Sequence, residues 1–407
     1  MKKLNLFLIL PIFVCTLFVG GCTSGCVSLF ITNPPNKIVY EVGEEVDFSG
    51  LNVEYLNTDG TTTKVFCKAE DFSKVDTSTP GEKTVLITKK DITTTFKIYV
   101  ANSVVTTAKQ LKSTILNSTN GDVIYIKLGE YSPIDAQDES LYNIVINKQL
   151  TIIGDGNDKT ILHGNFLVGV TETQDAYVPL DNFGGVTIMN IGFKLTSQVQ
   201  NGYNVFEGKY GNYDNFGAIK TYNSKDITIK NCSFEGYCYG INADNITNLN
   251  LTNNYFKGLK ICGVKVTQNI LNSTISKNVF IDIGKNSLVY ENGQQGNVCG
   301  IHLNFSKAQN VGVIICNNNL ARIGVYNGTL TYANLGANEL EINGETNFAN
   351  GFYVNNSALI ILSSSTTNNL DINGLIFSNN NYGQTLQNIS FSTTKDNFVN
   401  QNGVIII

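Results

Sequence analysis

The string Val186-Thr187-Ile188-Met189-Asn190-Ile191-Gly192-Phe193 returns as Ile227-Thr228-Ile229-Lys230-Asn231-Cys232-Ser233-Phe234 and again as Leu249-Asn250-Leu251-Thr252-Asn253-Asn254-Tyr255-Phe256. Looser copies begin at Ser273, Val313 and Leu375. The starts at 227, 249 and 273 stand 22 and 24 residues apart. A period in this range means one structural unit stacked on itself. Apolar residues alternate within each unit, which is the period of a strand and not of a helix. The chain is therefore expected to wind as a coil of stacked strands. Phe193, Phe234, Phe256, Phe280 and Tyr382 should line up inside it. Asn190, Asn231, Asn253, Asn317 and Asn379 should take the turn, because asparagine tolerates left-handed backbone and bonds nearby main chain.

At 407 residues, two or three domains are expected. With 42% hydrophobic and 15% charged residues, real cores form under a polar but mostly uncharged surface. A formal net charge of -5 argues against a nucleic-acid binder, which would carry a basic face. Arg322 is the only arginine, so any grip on carboxylates rests on lysine. The 9 cysteines are irregularly spaced and do not read as a disulfide framework. No CxxC pair and only 2 histidines argue against zinc, and no cofactor is expected. Cys262 and Cys299 precede the same Gly-apolar step, which stacks them on neighbouring rungs. Buried thiols are the first expectation and a bridge the second.

Lys2-Lys3 and an apolar run from Leu4 to Val19 form a signal peptide. The run ends Leu17-Phe18-Val19-Gly20-Gly21-Cys22, which resembles the bacterial lipobox. The resemblance implies removal of residues 1–21, lipidation of Cys22 and an extracytoplasmic protein anchored to the membrane, with 22–33 as tether.

Residues 34–100 carry short alternating segments broken by the turn signals Asp59-Gly60 and Pro80-Gly81, the pattern of a small β-sandwich. From Tyr40-Glu41-Val42-Gly43 through Phe48-Ser49-Gly50-Leu51 to the closing Thr95-Phe96-Lys97-Ile98-Tyr99-Val100, the segment resembles a bacterial Ig-like domain of group 3. The resemblance implies a spacer or adhesion module.

In residues 101–407, Thr107-Ala108-Lys109-Gln110 has capping-box spacing, and Ala108, Leu111 and Ile115 share a helical face. A short helix there would plug the open end of the coil. The following segments, Gly121 to Tyr131, Leu150 to Gly156 and Lys159 to Gly164, resemble the opening of a pectin-lyase-like right-handed parallel β-helix, pectin methylesterases in particular. The expected class is thus all-β: an Ig-like sandwich plus a right-handed parallel β-helix with an N-terminal capping helix. The resemblance also implies that the turn asparagines bond one another as a ladder. It further implies that an outward groove accepts sugar chains.

A second strand precedes each repeat: Ala218 to Asn223, Gly240 to Asn245, Gly263 to Gln268, Gly300 to Phe305, and a fifth candidate, Gly351 to Asn355. Aligning them gives two outward columns: Lys220, Asn242, Lys265, His302 and Tyr222, Asp244, Thr267, Asn304. Between Lys265 and His302 the chain inserts a loop, with Tyr290 and Glu291 placed to overhang the face.

Lys220, Asp244, Lys265 and His302 are the candidate catalytic residues. Tyr222, Asn242, Thr267, Asn304, Tyr290 and Glu291 are the candidate contacts to a sugar. Breaking a polyuronate by β-elimination needs a base and a cation, roles open to Lys265 and to Lys220 or His302. A calcium-dependent lyase would need more carboxylates than Asp244 supplies. A hydrolase needs two carboxylates, and Asp214 and Glu291 lie only in loops. The paired Asp and downstream Arg of pectin methylesterases have no match. The competing reading is a set of surface ion pairs among Asp244, Lys220 and Lys265. The leading function is contact with a polysaccharide or host glycan. The alternatives are a polysaccharide lyase or glycoside hydrolase, and a structural stalk.

Overall fold

The computed structural model describes residues 26–132, 141–173, 176–195, 217–284, 298–305 and 310–326, and the strands 330–334, 339–342, 345–348, 357–364, 373–378 and 404–406. The signal segment, Cys22, Asp214, Tyr290, Glu291, Gly351 to Asn355, Asn379 and Tyr382 lie outside the described residues. The chain divides into two compact units. One draws on Met1–Ile38, Asp47–Val75 and Thr84–Lys97, and the other on Val39–Val46, Asp76–Lys83 and Ile98–Ile407.

The N-terminal part is built of β1 (Cys26–Asn33), β2 (Val39–Tyr40), β3 (Asn52–Asn57), β4 (Thr62–Val65), β5 (Gly81–Lys89) and β6 (Ile92–Val100). They form two three-stranded sheets, ordered β1-β3-β4 and β2-β6-β5. Residues 26–33, expected as part of a tether, form β1, which pairs antiparallel with β3. Its alternation explains this: Val27 is exposed while Leu29 is buried against Val53, Tyr55 and Ile87. The turn at Asp59-Gly60 is present, with Gly60 at φ 82° joining β3 to β4.

The second unit is a parallel β-helix. Ile227 pairs with Leu249, Ile229 with Leu251, and Leu251 with Ile275, each one rung apart. All five residues are buried, so the period-two reading of the repeat holds. Phe193, Phe234, Phe256 and Phe280 stack face to face, with centroids 5.3, 4.8 and 4.6 Å apart. Gly240 and Gly263 are required by this stack. A Cβ on either would sit 2.5 Å from the ring of Phe256 or Phe280.

The turn residues adopt the expected left-handed backbone: φ is 58° at Asn190, 53° at Asn231, 57° at Asn253 and 55° at Asn317, with Lys277 substituting at 56°. The ladder, however, runs one residue later. Among the described residues of the expected series, Asn231 alone donates to its neighbour, Asn190, at 3.1 Å. The buried ladder is Asn254–Asn278–Asn318, each side-chain amide donating to the next at 3.0 Å. Each amide also bonds the main chain of a neighbouring rung, at Ile229, Leu251 and Ile275. A buried amide must satisfy both its donors and its acceptor. The position after the turn can do this because it faces main chain on both sides, whereas Asn253 is exposed.

The helix α1 (Ala108–Asn117) buries Ala108, Leu111 and Ile115 in the coil's core beside the terminal strand Ser103–Val105. Its capping differs from the expected box. Thr107 makes no side-chain cap, and Gln110 instead accepts hydrogen bonds from the backbone and hydroxyl of Thr106, both at 3.1 Å. At the far end, Leu330–Asn334 turns back antiparallel, and Glu339–Ile342 pairs antiparallel with Glu345–Phe348. The strand that continues the sheet after Val298–Phe305 is Ser357–Ser364.

Candidate functional site

The outward column forms as aligned. Lys220 pairs with Asn242, Asn242 with Lys265, and Lys265 with His302, so four consecutive rungs contribute one residue each. The inward residues between them are Ile219, Ile241, Val264 and Ile301, all fully buried, which fixes the outward face. Tyr222 pairs with Asp244 in the second column, and Thr267 donates to the Asp244 carboxylate at 2.8 Å. Asn304 lies opposite Ser363 in the sheet, its side chain outside the described residues, as are Tyr290 and Glu291.

The lysines do not form the ion pairs of the competing reading. Among the described residues neither lies within 4.0 Å of Asp244. Each rests on an aromatic face instead: Lys220 Nζ stands 4.7 Å from the Tyr222 ring centre, and Lys265 Nζ 4.9 Å from that of Tyr239. Lys265 also donates to Tyr239 Oη at 3.4 Å. Ring contacts of this kind hold an ammonium in place without neutralising it. Tyr239 was missed by sequence reasoning. It stands directly before Gly240, at the position Cys262 and Cys299 take in the next two rungs, so extending the Gly-led alignment by one residue finds it.

Burial shapes the electrostatics. Desolvation lowers the pKa of Lys220, helped by repulsion from Lys265 and opposed by Asp244. Tyr222 is pushed up to about 12 by burial and by Asp244. His302 is pulled down to about 4, by burial first and by the charge of Lys265 second. Lys265 flanks His302 on one rung and Ile361 on the other. His302 is therefore a neutral imidazole at neutral pH. Its folded pKa lies below the ordinary 6.5, so the unfolded chain takes up the proton first as pH falls. Its contribution to stability is complete above about pH 6.5 and is lost on the way down to about 4. The loss amounts to roughly 3 kcal/mol. Urea midpoints at neutral and mildly acid pH should separate for the natural protein more than for His302→Gln. Equal separations would remove this role.

Among the described residues no three His, Cys, Asp or Glu side chains converge as metal ligands. No helix among them is long and apolar enough to cross a membrane.

Residues 33–100 match the family model of the bacterial Ig-like domain, group 3. No curated protein matches the sequence. Over the whole chain, similar solved structures include the catalytic domain of a GH87 alpha-1,3-glucanase in complex with tetrasaccharides. It shows 14% identity and a TM-score of 0.37, over 88% of this chain and 74% of that one. A pectate lyase mutant from Bacillus subtilis shows 14% identity and a TM-score of 0.35, over 69% and 81%. The pectin methylesterase PemA from Erwinia chrysanthemi shows 11% identity and a TM-score of 0.36, over 73% and 92%. At these identities and scores the likenesses do not extend to activity.

Proposed function

We propose that the face carrying Lys220, Asn242, Lys265 and His302 binds an anionic polysaccharide. The observation that carries this reading is the pair of lysines, two rungs apart, each held on a tyrosine ring. A chain of net charge -5 presents a local cationic strip here, which attracts carboxylate or sulfate groups. Asp244 offers a carboxylate of the kind that sugar hydroxyls bond, and strand spacing of ~4.8 Å sets successive rungs in a row, while Asn242 is buried between the two lysine rungs. The setting is a lipoprotein tethered at Cys22, with the Ig-like module at 34–100 as spacer and the coil at 101–407 as the glycan-facing part.

The test is electrophoresis of the full chain in gels containing uronate, sulfated or neutral glycans. Retardation is expected with the anionic glycans only. Lys265→Ala should weaken binding about ten- to a hundredfold, as for the loss of one charged hydrogen bond. Equal retardation by neutral glycans would overturn the reading, and none with any glycan would leave the stalk.

A second reading, β-elimination, is favoured by one feature. Desolvation of Lys220 makes its neutral amine more available as a base than that of an ordinary lysine. The roles then reverse from the sequence-based expectation, with Lys220 as base and Lys265 as the cation facing the developing carbanion. New ultraviolet absorbance on incubation with a polyuronate, lost in Lys220→Ala, distinguishes turnover from binding.

A further inference from the structure

Cys262 and Cys299 lie opposite one another on neighbouring parallel rungs, 37 residues apart in sequence. Their sulfurs approach to 2.9 Å, and both side chains are buried. Parallel neighbours have Cα atoms ~4.8 Å apart, inside the window a disulfide spans, and the sulfurs need close by only about 0.9 Å more. Three residues beyond each cysteine stand Lys265 and His302, themselves paired.

We propose that Cys262 and Cys299 form an inter-rung disulfide in the exported protein, which fixes the register of the two rungs carrying Lys265 and His302. The inference rests on the extracytoplasmic reading above for its oxidising compartment and on the rung geometry for its pairing. The reaction is a thiol–disulfide exchange. The Cys262 and Cys299 thiols give up two protons and two electrons, and a disulfide of glutathione or of an oxidoreductase is reduced to two thiols. Burial and the neighbouring Cys262 push the Cys299 thiol well above its ordinary range, so little thiolate exists once the rung has closed. Exchange therefore belongs to folding, before the rung of Cys299 docks on that of Cys262. The bridge closes a 37-residue excursion between two paired strands, and pins their register where a one-residue slip would turn every side chain over.

The experiment is peptide mapping of the full chain after alkylation in denaturant. One sample is refolded with a mixture of reduced and oxidised glutathione, and the other is recovered after export with its own leader. A peptide pair linking Cys262 to Cys299 is expected in both. Adding a thiol reductant should lower the thermal midpoint of the bridged protein by roughly 5–10 °C. Cys299→Ser should be indifferent to reductant, and the natural protein with and without reductant gives the same comparison if that variant fails to fold. Alkylation of both thiols after refolding, or linkage to other cysteines, overturns the proposal on geometry. A link formed on refolding but absent after export overturns it through the compartment, leaving the glycan site standing.

Discussion

Phe256→Ala is expected to cost the coil about 3–5 kcal/mol, the range for emptying a buried aromatic site. The ring is fully buried and stacks on Phe234 at 4.8 Å and on Phe280 at 4.6 Å, nearly parallel to both. Gly240 leaves no side chain to collapse into the space, since its Cα already lies against the ring. In a stacked coil each rung touches only its neighbours, so the loss falls on the interfaces with the rungs before and after. Phe256→Leu, which keeps most of the volume, should recover more than half of it. Urea denaturation followed by circular dichroism reads both variants on the coil's own transition. A cost below about 1 kcal/mol for Phe256→Ala would mean that the stack does not carry the core.

Asn278→Leu should be comparably damaging despite its similar volume. The Asn278 side chain accepts from the Asn254 backbone at 2.9 Å and from the Asn254 amide at 3.0 Å. It donates to Leu251 O and to Asn318 Oδ1, both at 3.0 Å. Leucine would leave two buried donors on Asn254 without this acceptor, and each such loss costs about 1–3 kcal/mol. A total of about 3 kcal/mol is expected, because the bonds share one network and do not add fully. Asn253→Ala, at an exposed turn, should cost only about 1–2 kcal/mol for left-handed backbone without asparagine. The same denaturation series decides between the two positions. If Asn253→Ala proved the more costly, the ladder would belong to the turn residues after all.

The two asparagine columns show how far sequence reaches. The repeat offers Asn253-Asn254 and Asn317-Asn318 side by side, and residue type does not say which amide is buried. Only the neighbouring rungs, with main-chain groups free to accept on either side, make the later position the ladder. The segment expected as a tether is a second instance. Residues 26–33 alternate as a strand does, but their pairing with β3 is a contact between segments about 25 residues apart, formed only when the sandwich closes. The lysines are a third. Charge and column alignment put Asp244 near Lys220 and Lys265, yet the tyrosine rings hold the ammonium groups and Thr267 takes the carboxylate.

By itself, the sequence determined the class of fold, the inward aromatic column and the rung-by-rung alignment of Lys220, Asn242, Lys265 and His302. It could do so because strand periodicity is local and a one-residue slip would turn every buried side chain outward. The tertiary structure alone decided which asparagines form the ladder and that Tyr239 holds Lys265. These depend on distances between rungs, which arise only when successive turns of the chain lie against one another.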